Sequence, residues 1–119
     1  STFGGSPLVC KAALSTFKAI ISDKMLQNTR LTGAYLLNGV KSLKEKFQCI
    51  ANVRGMGLMV GVELNIEGKP IYEECFKSGL IINCTQGNVL RLMPALNVTK
   101  KQCNKALHIL EEAFGKVSR

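Results

Sequence analysis

The sequence has no Trp, a single His and a single Asp, and these shortages remove several chemistries at once. His108 has no second metal ligand near it in the chain. The five cysteines, at 10, 49, 75, 84 and 103, have none of the paired spacings of zinc or thioredoxin-type sites. No His lies beside a Cys or Ser, so a nucleophile activated by a neighbouring base finds little support. No apolar run approaches the ~20 residues that span a bilayer, and no basic stretch followed by an apolar one opens the chain. A membrane protein and a signal peptide are therefore not expected. An odd number of cysteines without a secretory signal points to reduced, mostly buried thiols in a cytoplasmic setting.

Acidic residues are also scarce. Eight Asp plus Glu face 16 Lys plus Arg, a formal net charge of +8. Such an excess raises the question of nucleic acid. The twelve Lys and four Arg are spread over every segment, with one local cluster at Lys41, Lys44 and Lys46. No aromatic side chains are interleaved with them as base stacking would need. A solvated Lys-rich surface is the expectation, with no nucleic-acid partner; binding of nucleic acid would instead weaken steeply with salt.

What is present describes a globular chain. Its 119 residues are 46% apolar and 20% charged, enough to bury the core of one ordinary domain. Ser6-Pro7 predicts a helix start, with a hydroxyl cap and a Pro whose missing N–H costs nothing in the first turn. Leu8, Val9, Ala12, Ala13, Phe17, Ile20 and Ile21 follow at helical spacing, and Ser22-Asp23 interrupts. A second helix carries Gly33, Leu36, Leu37, Val40, Leu43 and Phe47 on one stripe. Leu58, Val60, Val62 and Leu64 then alternate with Met59, Gly61 and Glu63, the period of a strand, and Cys49 to Val53 is a shorter candidate. Pro70 opens a short helix that Gly79 ends. Leu80 to Cys84 and Val89 to Met93 read as two further strands, the second stopped by Pro94. Thr99 and Gln102 form a capping box before a long apolar stripe from Cys103 to Val117. The order predicts an α/β layer domain, with helices on one face of a small sheet. The first helix arrives without a preceding strand and could belong elsewhere.

Three places could carry chemistry. Arg54-Gly55-Met56-Gly57-Leu58-Met59-Val60-Gly61 has phosphate-loop glycines at the wrong spacing, and a strand rather than a helix follows. A turn and strand with close backbone packing is the expected role. Arg91 stands between Leu90 and Leu92, where a charge needs a partner or a ligand. Its planar guanidinium matches a carboxylate in two hydrogen bonds, although on these residues alone an edge-strand Arg reaching solvent is the simpler reading. Ser1 to Pro7 combines hydroxyls, glycines and a helix start, and could be an anion site or simply a capped loop.

Three segments in this order resemble one family. They are Ser-Thr-Phe-Gly-Gly-Ser-Pro-Leu at 1–8, Val-Arg-Gly-Met-Gly-Leu-Met-Val-Gly-Val-Glu-Leu at 53–64 and Gly-Asn-Val-Leu-Arg-Leu-Met-Pro-Ala-Leu at 87–96. Together they look like the C-terminal third of class III, pyridoxal-phosphate-dependent aminotransferases. Ile81 to Arg91 follows the acetylornithine type most closely. Two positions depart from the pattern: Ser6 stands where Asn is usual, and Ala95 where a second Pro is usual.

The resemblance implies an α+β-type small domain from residue 23 to 119, with a small, mostly antiparallel sheet. Residues 1–22 would be the tail of a large cofactor-binding domain and the interdomain helix. It implies pyridoxal 5'-phosphate as cofactor, with Thr2, and also Ser1, at its phosphate across a homodimer. Arg91 would bind the substrate α-carboxylate. The parent protein would move the δ-amino group of N-acetylornithine to 2-oxoglutarate, in cytoplasmic arginine biosynthesis. The Schiff-base Lys precedes these motifs in the family, so no catalytic residue is expected in this chain, and the 119 residues alone are expected to be inactive. A different class of function, a non-catalytic α/β binding or oligomerisation module, stays open at this point.

Overall fold

The structure is a computed structural model that describes residue 2 and residues 4–117. Pro7–Ser22 forms helix α1 and Met25–Lys46 helix α2. Strands β1 (Ile50–Met56) and β2 (Met59–Leu64) follow, then helix α3 (Lys69–Lys77), strands β3 (Asn83–Thr85) and β4 (Val89–Leu92), and helix α4 (Lys100–Val117). The four strands make one antiparallel sheet in the order β1-β2-β4-β3. This is the expected small sheet with helices packed on it, and it is antiparallel throughout.

The period-two pattern does what it predicts. Val60, Val62 and Leu64 of β2, with Val53 of β1 and Leu90 and Leu92 of β4, point inward and are buried. They meet Leu36, Val40 and Leu43 of α2 and Leu110 and Phe114 of α4, so both long helices cover one face of the sheet. The other face carries Arg54, Met59, Gly61, Glu63 and Arg91 and is open. Helix α3 closes the end of the core through Ile71 and Cys75.

Local signals set the ends of most elements. Thr99 Oγ1 accepts the Gln102 backbone N–H while Gln102 Oε1 accepts the Thr99 N–H, the reciprocal capping box that starts α4. Gly79, at φ +80, ends α3 in the left-handed region. The β1–β2 connection is a two-residue hairpin turn, because Met56 pairs with Met59, and Gly57 takes the positive φ that the turn requires. Ser6 does precede α1 and Pro7 occupies its first turn, but the Ser6 hydroxyl makes no capping bond.

Two elements differ from the expectation. Strand β1 runs three residues past Val53, because Arg54, Gly55 and Met56 pair with Gly61, Val60 and Met59 across the hairpin. The β-prone run Leu80 to Ile82 is not a strand, although all three residues favour one. Pairing with β4 begins only at Asn83, opposite Arg91, so the upstream residues have no ladder to join, and Ile81 is exposed.

Candidate functional site

Strand β4 aims Arg91 outward by simple alternation. Leu90 and Leu92 on either side are buried at 0% and 4% exposure, so the residue between them must face the open side of the sheet. There Arg91 is exposed, and no carboxylate pairs with it among the described residues. The ladder gives it two cross-strand neighbours, Gly61 on β2 and Asn83 on β3. One contributes no side chain at all, and the other contributes a neutral amide that can donate or accept. An unpaired guanidinium beside a glycine gap is suited to receive an anion of planar, two-oxygen shape.

The nearest acid on this face is already engaged. Glu63 stands two residues along β2 from Gly61, and its Oε2 accepts from Arg54 Nη1 at 2.6 Å. Both side chains are well exposed, so this pair contributes at most about 1 kcal/mol to folding. Its effect on the site is electrostatic: it neutralises Arg54 and leaves Arg91 unpaired.

Thr2 lies in an exposed turn before α1. Gly5 follows at φ +89, where an added Cβ would meet nothing within 4 Å, and α1 has no acidic residue in its first turn. The hydroxyl of Thr2, the open turn and the positive end of a 16-residue helix are what a phosphate group requires. On these grounds the residues present fit the phosphate of pyridoxal phosphate. Ser1 lies outside the described residues. The structure does not bring Thr2 and Arg91 together through any described hydrogen bond or ion pair.

The remaining sequence candidates have structural roles. His108 is exposed and lies 3.3 Å from Glu112 on its own helix. No group of three or more metal-ligating side chains occurs among the described residues. Gly33 and Gly57 account for much of the glycine-rich segment: a Cβ on Gly33 would stand 2.2 Å from the Gly57 carbonyl oxygen, so α2 rests directly on the hairpin turn. Lys46, Lys69, Lys77 and Lys116 are each paired with a Glu, which disperses the basic surface. No described helix is long and apolar enough to cross a membrane.

Sequence reasoning missed Asn83 and the Arg54–Glu63 pair. The alternation in β2 already puts Gly61 and Glu63 on one face. Their alignment with Arg54, Arg91 and Asn83 depends on the register between separate strands, such as Gly61 against Arg91, which periodicity does not contain.

Comparison with known proteins gives a consistent result. A family described as Aminotransferase class-III matches residues 1–114. The acetylornithine aminotransferase of Clostridium acetobutylicum is 40% identical over 115 residues, covering 96% of this chain and 30% of that protein. The crystal structure of acetylornithine aminotransferase from Elizabethkingia anophelis superposes with a TM-score of 0.91 at 28% identity, over 98% of this chain and 32% of that one. An amine transaminase from an uncultivated Pseudomonas species, in its PLP-bound form, also gives 0.91, at 26% identity over 98% of this chain and 29% of its own. The chain thus spans about 30% of the length of the curated relatives it matches.

Proposed function

The chain belongs to the class-III aminotransferase family, and from that premise we propose that it is the C-terminal part of a transaminase of the acetylornithine type. The whole protein transfers the δ-amino group of N-acetylornithine to 2-oxoglutarate. Residues 23–119 are its small domain, and residues 1–22 lead into that domain from a larger cofactor-binding one. The division is supported by α1, which buries none of its residues, and by the break at Asp23–Lys24, where Lys24 turns to φ 52.

The observation that carries the substrate side is the exposed, unpaired guanidinium of Arg91 on the open sheet face. In this reading it takes the substrate α-carboxylate in two parallel hydrogen bonds. A fork held on a strand, with neighbours on both sides, fixes the carboxylate's direction and so the orientation of the bond to be broken. Asn83, beside it, is available to one carboxylate oxygen as a neutral donor. Thr2 donates its hydroxyl to the cofactor phosphate, held mainly by the partner subunit of a cytoplasmic homodimer. Pyridoxal phosphate, when bound, supplies the electron sink for the charge that develops on the substrate carbon. The chain's own contribution is binding and orientation.

The test is an assay of the full-length protein. Wild type transfers the amino group from N-acetylornithine to 2-oxoglutarate; absence of transfer overturns the reading. Arg91→Ala removes a charge-assisted contact of about 1.5–3 kcal/mol, so kcat/KM falls about 10- to 100-fold for both substrates. Unchanged kcat/KM for both removes Arg91 from the site. Thr2→Val in the same protein weakens retention of the cofactor during dialysis.

A further inference from the structure

Two arginines share one row on the open face of the sheet, and only one of them is unpaired. Arg54 on β1 pairs in register with Gly61 on β2, and Gly61 pairs with Arg91 on β4. Residues in one such row project to the same side, and the outer two strands of the three lie about 10 Å apart. The position between the arginines is a glycine, and a Cβ there would meet nothing closer than the Arg54 carbonyl oxygen at 3.8 Å and its Cγ at 3.9 Å. Two long side chains therefore flank a position that has no side chain of its own, with the Arg54 stem in ordinary contact beside it. Two guanidiniums across such a position form a receptor for a molecule with two carboxylates. Glu63, diagonal to both, spends its charge on Arg54 at 2.6 Å.

We propose that Arg54 is a second carboxylate subsite on this face, masked by Glu63, and that the masking is a specificity device. The proposal rests on the reading of Arg91 given above and deepens it. With Glu63 in place the face presents one unpaired cation, so a dicarboxylic acid is held here by one end only and its distal carboxylate is left to another part of the protein. Without Glu63, the same acid lies flat across Arg91 and Arg54, gripped at both ends and turned away from the orientation that a single anchor enforces. A monocarboxylic acid gains nothing from the second guanidinium. The exposure of the pair, 59% for Arg54 and 39% for Glu63, is consistent with a role in recognition, because exposed pairs add little to folding.

The experiment uses the full-length protein and two inert acids of equal length, glutarate and valerate, with dissociation constants measured by calorimetry. Wild type binds both through Arg91, and Arg91→Ala weakens both. Glu63→Gln, close to isosteric and on an exposed face, tightens glutarate about tenfold and leaves valerate unchanged. Adding Arg54→Met to Glu63→Gln returns glutarate to its wild-type affinity. In turnover, Glu63→Gln develops substrate inhibition by 2-oxoglutarate. An equal effect of Glu63→Gln on both acids, or none on glutarate, overturns the masked subsite while leaving the role of Arg91 standing. Binding of both acids that survives Arg91→Ala, or no binding by wild type, overturns the functional reading and this proposal with it.

Discussion

Burial pushes the Cys75 thiol from its ordinary value of 9.0 up to about 11, with Glu74 beside it adding to the shift. Desolvation penalises the thiolate, so the folded chain holds this proton more tightly than the unfolded one does. The linkage follows in sign: the stability owed to Cys75 is complete below 9.0 and is lost as pH rises through about 11, because the unfolded chain releases its proton first. The same burial makes Cys75 a poor nucleophile. At about pH 8, iodoacetamide should modify the exposed Cys10 in the folded protein and reach Cys75 only after denaturation, which peptide mass spectrometry would read. Labelling of Cys75 at the rate of Cys10 would contradict the buried position. Both the buried thiols and Arg91 were readable from their immediate neighbours, since Leu90 and Leu92 dictate where Arg91 points. That Arg91 lacks a carboxylate was not readable, because it depends on Glu63 choosing Arg54, a residue on another strand.

Helix α2 carries two glycines, Gly33 and Gly39, whose surroundings differ. Both sit in the helix interior, where Gly to Ala alone would favour the helix by about 1 kcal/mol. At Gly39 the new methyl would meet the Leu107 side-chain end, which can change rotamer. At Gly33 it would meet the backbone carbonyl of Gly57 at 2.2 Å and 2.4 Å, and neither backbone can yield without parting helix and hairpin. Overpacking of that kind costs about 1–3 kcal/mol. Gly33→Ala should therefore lower the urea midpoint, with Gly39→Ala close to neutral as its control. Equal midpoints for the two variants would mean that α2 does not rest on the turn. Among the elements, those with local punctuation were legible: the Thr99–Gln102 box, Gly79 after α3, and Pro94 after β4. Leu80 to Ile82 was misread as a strand because a strand is defined by its partner, and none reaches those residues.

The whole molecule is longer than its chain length calls for. Its radius of gyration is 16.8 Å, where about 13–14 Å is expected for a compact domain of this size. Helix α1 accounts for the excess: none of its residues is buried, and Val9, Leu14, Phe17 and Ile21, which share one side of it, are all more than half exposed. A contiguous apolar helix face of this kind drives association. Expressed alone, the 119 residues should form concentration-dependent oligomers by sedimentation velocity, and a variant lacking residues 1–22 should stay monomeric and still unfold cooperatively. A monomeric full chain at every concentration would show that α1 folds back onto the core. The apolar stripe of α1 is written in the sequence, as are the helices, the inward faces of the strands and the family pattern, since each rests on neighbours a few positions apart. Whether that stripe finds a partner, and which charges meet on the open face of the sheet, was decided only by tertiary structure. Both depend on strand register and on contacts between distant segments, and the energies that select them are spread over the entire core.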